Sequence, residues 1–223
     1  MPLMNTQPMN TNRPAKVVCV GRNYADHAAE LGNQVPTEPV LFIKPGSAIA
    51  AGSQIPLDQI TKNLALGQLH FECELCLRIG RAVTNAPIDQ ALGAIDAVTL
   101  GLDLTLRSVQ DALKAKGLPW ERAKAFDGSC LLGDWLSVTE ADLAYAEFEC
   151  WINGERRQHG VSAQMLFGFE RLVSEISAVF KLEAGDVIMT GTPSGVGPLN
   201  HGDVLELKLI EPQGLAVQQF KVV

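Results

Sequence analysis

The stretch "HFECELCLRIG", residues 70–80, decides how the chain is read, because it sets two carboxylates, Glu72 and Glu74, inside an otherwise apolar run. If the segment is a strand, side chains alternate, so His70, Glu72, Glu74 and Cys76 share one face while Phe71, Cys73, Leu75 and Leu77 share the other. One face is apolar and the other acidic. Two readings fit that pattern: a sheet strand whose polar face is wet, and a strand that presents a pair of metal ligands. Cys73 and Cys76 form a C-x-x-C, but strand geometry sends them to opposite faces, where they cannot chelate together.

Working outward, "AIDAVTLGLDLT" (residues 94–105) alternates in the same way and carries Asp103, a residue type disfavoured inside strands. A helix cap near Arg107 or an ion pair with that arginine would account for it. So would a third hard oxygen donor beside Glu72 and Glu74, the donor set suited to Mg2+ or Mn2+. Upstream, "GRNYADHAAE" (residues 21–30) spaces His27 and Glu30 three apart, on one face of a helical turn. A carboxylate beside an imidazole orients it and favours its protonated form, which suits a base that takes a proton from water, although such pairs are also common on surfaces. Downstream, "IMTGTPSGVGPLNHGD" (residues 188–203) is rich in Gly and Pro after a strand; it matches neither a P-loop nor a dinucleotide fingerprint. It reads as a tight turn, or as backbone N–H groups and the Thr192 hydroxyl placed to hold a carboxylate. Lys124, in "LPWERAKAFDGSC", falls between a Trp-containing turn and an expected strand.

The remaining pattern is strand-rich. "KVVCVG", "PVLFIKP", "DVIMTGT", "DVLELKLI" and "LAVQQFKVV" read as short strands, "EFECWING" and "ERRQHG" as a hairpin about Asn153-Gly154, and "IAAGSQIPLDQI" as a turn region. "NYADHAAELG" reads as a short helix or ordered loop ended by Gly32, and "LRSVQDALKAKG" has helical spacing with Gly117 as its stop. The strongest helical pattern is "SAQMLFGFERLVSEISAVFKLEAG", with Leu166, Phe169, Leu172, Val173, Ile176 and Phe180 on one face. Strands outnumber helices without regular alternation, which predicts an α+β fold, a strand-rich mixed roll. Residues 1–15 read as a flexible tail and residues 16–223 as a single domain.

The totals narrow the function classes. The 223 residues are 47% hydrophobic and 19% charged, the balance of a soluble globular protein. No apolar run is long enough to span a bilayer, and the polar start lacks the apolar middle of a signal peptide, so a cytoplasmic location is expected. A net charge of −7 argues against a nucleic-acid surface and for small-molecule or protein partners. Five cysteines with no secretory signal are expected to be reduced thiols.

Together these stretches resemble the fumarylacetoacetate hydrolase family, in particular its short acylpyruvate hydrolase and oxaloacetate decarboxylase branch. "GRNYADHAAE", "PVLFIKPGSAI", "HFECELCLRIGR", "GLDLTLRSVQDALKAKGLPWERAKAFDGSC", "WINGERRQ" and "MTGTPSGVGPL" occur in family order from residue 16 onward. The resemblance implies a strand-rich roll assembled as a homodimer, with Mg2+ or Mn2+ held by Glu72, Glu74 and Asp103. It implies an acid/base pair of His27 and Glu30 on a lid-like segment, Lys124 beside the bound substrate, and substrate contacts from Arg22, Arg107, Gln110 and Thr192. Ser108 stands where many relatives have Asp, and "HGVSAQM" replaces a Gly-Asn-Thr type segment. The implied activity is hydrolysis of a C–C bond in a 2,4-dioxo acid of acylpyruvate or fumarylpyruvate type, giving pyruvate and a carboxylic acid. The alternatives are oxaloacetate decarboxylation or tautomerisation, isomerisation of 2-hydroxyhepta-2,4-diene-1,7-dioate, and non-catalytic binding of small acids by a dimer.

Overall fold

The computed structural model describes residues 13–62, 67–212 and 214–223. Among the described residues, fifteen short strands and five α-helices follow one another without a βαβ rhythm, an α+β arrangement. The first part of the chain contributes β1 (Lys16–Gly21), α1 (Ala25–Glu30), β2 (Val40–Pro45), β3 (Gln54–Ile55), α2 (Leu57–Lys62), β4 (Leu69–Phe71) and β5 (Cys73–Ile79). The middle adds β6 (Ile95–Asp103), β7 (Thr105–Leu106), α3 (Arg107–Ala115), α4 (Glu121–Lys124), β8 (Cys130–Leu132), β9 (Leu136–Ser137), β10 (Glu147–Ile152) and β11 (Glu155–Val161). The last part holds α5 (Phe169–Val179), β12 (Val187–Met189), β13 (Gly197–Pro198), β14 (Val204–Glu211) and β15 (Ala216–Val222).

A seven-stranded sheet runs β2-β1-β12-β5-β6-β8, with β9 also on β6; a five-stranded sheet runs β11-β10-β14-β15-β3, and a small sheet runs β13-β4-β7. Alternation along the strands builds two apolar layers. Val18 and Val20 of β1, Leu75 and Leu77 of β5, and Val98 and Leu100 of β6 join Phe148, Leu205, Leu207 and Phe220 of the second sheet in the main core. The face of α5 carrying Phe169, Leu172, Val173 and Ile176 packs into that core. The opposite face of the large sheet carries Val17, Cys19, Cys76, Cys130, Val187 and Met189. Cys73 and Cys76 thus fall in different layers, and all five cysteines are free thiols. The hairpin turn at Asn153 (φ 52°) and Gly154 (φ 84°) takes the two left-handed conformations that a two-residue connection between twisted strands requires.

Several elements depart from the sequence pattern. The expected tail is anchored at its inner end: the Arg13 guanidinium donates to the carbonyls of Ser47 and Ile49, while residues 1–12 lie outside the described residues. The turn region before residue 61 includes β3 and the start of α2, whose buried Leu57 and Ile60 give it a reason to coil. The C-terminal helix is shorter than its apolar pattern, because residues 162–164 form a single 3₁₀ turn and the α-helix begins only at Phe169, after Gly168 in extended conformation. Lys124 ends a four-residue helix.

The break that positions the site lies in the acidic run itself. β4 pairs with β13 and β7, whereas β5 pairs with β12 and β6, so the chain changes sheets at Glu72. The partner strand does the same after Asp103, where β6 ends and β7 begins beyond Leu104. Corners of this kind free side chains from the ladder and aim them into the space between sheets.

Candidate metal centre

Strand register explains why three carboxylates meet. Cys73 faces Leu102 and Glu74 faces Gly101 in the β5–β6 ladder, and one step further the Asp103 amide donates to the Glu72 carbonyl at 2.9 Å. Glu72 and Asp103 are therefore cross-strand neighbours, with Glu74 two residues along on the same face. Each offers a carboxylate oxygen, and these three atoms lie within 4.8 Å of one another. None is wet: Glu72 is 5%, Glu74 2% and Asp103 0% exposed, so the acidic face does not point to solvent.

Buried carboxylates need compensation, and two of the three receive it. The Lys124 ammonium donates to Glu72 Oε2, Asp103 Oδ2 and Thr105 Oγ1, each at 2.7 Å, which uses all three of its hydrogens. The Arg107 guanidinium donates to Glu72 Oε1 and, at 2.7 Å, to Gln110 Oε1. Asp103 neither caps α3 nor pairs with Arg107; its cations are Lys124 and Lys44. Burial pushes the Glu72 carboxyl up, but Lys124, Arg107 and His27 outweigh it and hold the group well below the usual carboxylate range. Burial likewise pulls Lys124 down, and Asp103 with Glu72 more than reverses this, so Lys124 stays a cation.

Glu74 differs. Its Oε2 accepts a 2.6 Å hydrogen bond from the Gly191 amide, and among the described residues it forms no ion pair. Burial, then Asp103 and Glu72, push its carboxyl well above the ordinary value. A buried carboxylate in that position is completed by a proton or by one more cation. Three hard oxygen donors, one of them lacking a cationic partner, fit a small divalent ion such as Mg2+ or Mn2+. Gly191 can approach only because it has no side chain: a Cβ there would lie 2.7 Å from that of Asn23, and its φ of 101° excludes most other residues.

Above this floor sits α1. His27 is 4% exposed, and its Nδ1 lies 3.2 Å from Glu30 Oε2. A carboxylate only accepts, so this contact places the proton on Nδ1 and the lone pair on Nε2. Burial lowers the His27 pKa below its ordinary value, with Glu72 and Glu30 pulling part of the way back, which leaves the imidazole neutral at pH 7. The other Glu30 oxygen accepts from the Gly195 amide at 3.0 Å, tying α1 to the glycine-rich loop. His27, the three carboxylates, Lys124, Arg107, Gln110, Thr192 and Arg22 all line one cavity, so every expected site residue except Glu30 borders it directly. The cavity holds about 20 Å3, room for about one water, so a substrate requires α1 or its surroundings to shift. A much larger groove of about 770 Å3, bordered by Arg13, Arg78 and Trp135, contains none of these groups; size alone does not mark the chemistry.

Thr192 is engaged differently from the expectation that its hydroxyl holds a substrate carboxylate. That hydroxyl donates to the Cys73 carbonyl at 2.8 Å and accepts from Gln158 Nε2 at 2.8 Å, so it fixes the loop to β5. Sequence reasoning also missed residues that hold the site together. Lys44 is fully buried, donates to the carbonyls of Lys124 and Ser129 and to Ser129 Oγ, and lies 2.9 Å from Asp103 Oδ1. Asn23 joins the base of α1 to the Thr190 and Phe167 carbonyls and to the Phe167 amide. The signal for Lys44 was present, a lysine inside the apolar strand "VLFIKP", whereas Asn23 gives none before its neighbours are known.

Comparison with known sequences places this site. The family described as Fumarylacetoacetate (FAA) hydrolase C-terminal matches residues 16–223. The chain belongs to the fumarylacetoacetate hydrolase family. Among family relatives, it is 45% identical over 196 residues to the oxaloacetate tautomerase YcgM of Escherichia coli (strain K12), covering 86% of each chain. It is 40% identical over 209 residues to the human protein named oxaloacetate tautomerase FAHD1, mitochondrial, covering 92% of this chain and 90% of that one. Among solved structures it is similar to a fumarylpyruvate hydrolase from Pseudomonas aeruginosa in complex with Mn2+ and pyruvate. That match has a TM-score of 0.84 at 32% identity and covers 94% of this chain and 90% of the other. Among the described residues of this family member, no helix is long and apolar enough to cross a membrane.

Proposed function

We propose that the chain is a divalent-metal-dependent enzyme acting on small 2-oxo acids through their enol form, and that its reaction is the tautomerisation of oxaloacetate. The observation that carries this is the pairing of a buried three-carboxylate floor with a neutral, oriented imidazole above it. Glu72, Glu74 and Asp103 would hold Mg2+ or Mn2+, which supplies Lewis-acid stabilisation of charge developing on the carboxylate and 2-oxo oxygens of the substrate. His27 Nε2 would take a proton from the carbon next to the 2-oxo group; the C–H electron pair moves into the new C=C bond, and the oxygen gains charge and then a proton. Lys124, held as a cation by Glu72 and Asp103, stabilises that charge without acting as a base. Arg107 and Gln110, which border the cavity, would hold the acid's carboxylate. The two relatives named oxaloacetate tautomerases support this choice of substrate.

A second reading has its own support. In C–C bond hydrolysis of an acylpyruvate or fumarylpyruvate, the same Nε2 would take its proton from water as the water attacks the distal carbonyl. The similar structure with Mn2+ and pyruvate favours it. The two readings separate in one experiment on metal-stripped protein with and without Mg2+ or Mn2+. Metal-dependent relaxation of the oxaloacetate enol absorbance, with no pyruvate formed, is the expected result. Metal-dependent release of stoichiometric pyruvate and acetate from acetylpyruvate, with oxaloacetate untouched, replaces tautomerisation by hydrolysis.

A further inference from the structure

Glu72 and Glu74 are separated by one peptide unit, that of Cys73, and its backbone is held in an unusual way. On one side β5 runs along β6, where Cys73 faces Leu102. On the other side β12 ends at Met189, opposite Cys76, so that ladder stops short of Cys73. Buried backbone groups need partners, and here side chains supply them. The Cys73 amide donates to Gln158 Oε1 at 3.0 Å, and the Cys73 carbonyl accepts from the Thr192 hydroxyl at 2.8 Å. Gln158 comes from β11, in the other large sheet. Its inward aim has a local cause: Cys150 of β10 faces Gln158 while the next residue, Trp151, faces Arg156, which leaves Arg157 as the extra residue of a bulge.

Gln158 is 1% exposed and stands on the face of the sheet where Cys150 and Leu207, in line with it on the next two strands, are apolar core. An amide at a core position is stable there only if all its polar atoms are engaged. They are. Besides accepting from Cys73, it donates through Nε2 to Thr192 Oγ1 at 2.8 Å and to the Pro193 carbonyl at 2.7 Å. One acceptor on one side and two donors on the other is the inventory of a primary amide, which neither a carboxylate nor an apolar side chain of the same length reproduces. The loop it grips carries two further contacts to the site: the Gly191 amide on Glu74 and the Gly195 amide on Glu30. The bulge seats that loop as well, since a Cβ on Gly195 would lie 1.9 Å from the Arg157 carbonyl oxygen. Without touching a carboxylate, Gln158 joins the peptide between the two glutamates to the loop that bonds Glu74 and Glu30.

We propose that Gln158 is a positioning residue for the metal centre, setting the relative direction of Glu72 and Glu74 through the Cys73 peptide. The inference rests on the reading of the three carboxylates as a divalent-metal site. Its test is a calorimetric Mn2+ titration of the full chain, with the electron paramagnetic resonance spectrum of the bound ion as a measure of ligand geometry. Gln158→Met is expected to weaken Mn2+ binding by about 10- to 100-fold and to alter that spectrum. Leu207→Val, a cavity on the same face of the same sheet, should lower the melting temperature yet leave Mn2+ affinity within about twofold. Thr192→Val removes only the hydroxyl that Gln158 and Cys73 share; it should weaken Mn2+ by about fivefold, and it carries the test if Gln158→Met does not fold. Adding it to Gln158→Met should cost no further affinity, because the two side chains act on one peptide. Wild-type affinity in Gln158→Met, or in Thr192→Val where that variant carries the test, overturns the proposal. An equal loss in Leu207→Val overturns it too, by making the effect general loosening of the sheet. Failure of the wild-type protein to bind Mn2+ at all removes the metal reading on which the proposal stands.

Discussion

The floor and the lid of this site are built by opposite means. Glu72, Glu74 and Asp103 come from two central strands at the point where both change sheets, and their positions are fixed by a ladder with apolar layers on either side. His27 and Glu30 come from a six-residue helix that carries no side-chain N-cap and is joined to the neighbouring loop by the Glu30–Gly195 hydrogen bond. The floor is held by strand ladders, whereas α1 rests on buried Ala28, the Asn23 hydrogen bonds at its base and the Glu30–Gly195 contact, above a cavity with room for about one water. Under the function proposed above the two regions would have separate duties: holding a cation needs rigidity, and admitting a substrate needs an element that moves.

Breaking the floor should have the largest effect. Glu74→Gln keeps the Gly191 hydrogen bond but removes the carboxylate that has no cation of its own. Loss of several kcal/mol of Lewis-acid stabilisation predicts a fall in turnover of about 10³-fold, with metal affinity down by more than about 100-fold. Stability should move the other way. The folded-state pKa of Glu74 is raised, so its contribution to stability is present below the unfolded value and lost as pH rises through the folded one. Metal-free wild type should therefore lose thermal stability with rising pH, Glu74→Gln should lose less, and added metal should reverse their order. Melting curves from pH 5 to 9 with and without Mn2+ check this; a variant less stable than wild type without metal at the top of that range contradicts it.

Removing the lid's base should leave the floor intact. His27→Ala is predicted to lower turnover by about 10²- to 10⁴-fold, the usual contribution of a positioned general base, with metal affinity unchanged. Turnover and a Mn2+ titration on the same preparation test the separation, and a parallel loss of metal would mean that the two regions act as one.

The sequence disclosed the floor better than its support. Alternation alone put Glu72 and Glu74 on one face, and an Asp in an apolar strand marked position 103, because backbone periodicity is a local property. The sheet change at Glu72 was not legible, since it depends on β13 and β7, strands of two residues far along the chain. Position 103 offered Arg107 as the near partner, but the fold gives Arg107 to Glu72 and reserves Lys44 and Lys124 for Asp103. These choices are made by contacts 21 to 59 residues apart, which no short-range pattern encodes. The α5 pattern ran too long for a related reason: Leu166 does pack against the core, but from the segment before Gly168 and not from the helix.

The smallest predicted effect concerns Glu30, which joins His27 to the loop at Gly195. Glu30 uses one oxygen for His27 and the other for Gly195, and both contacts require an acceptor. Glu30→Gln has one acceptor. If the amide oxygen keeps Gly195, its NH2 faces His27 Nδ1 and favours the tautomer whose proton sits on Nε2, the nitrogen that must accept. If the oxygen keeps His27, α1 loses its tie to Gly195. Either outcome predicts a fall in turnover of about tenfold, milder than the loss of the imidazole because the base itself remains. The pH profile distinguishes this from general damage. Glu30 raises the His27 pKa against the larger lowering by burial, so removing its charge should move the acid limb of the profile to lower pH. A tenfold loss with an unmoved limb would make Glu30 a hinge contact alone, and the orientation of His27 would then have to come from the floor.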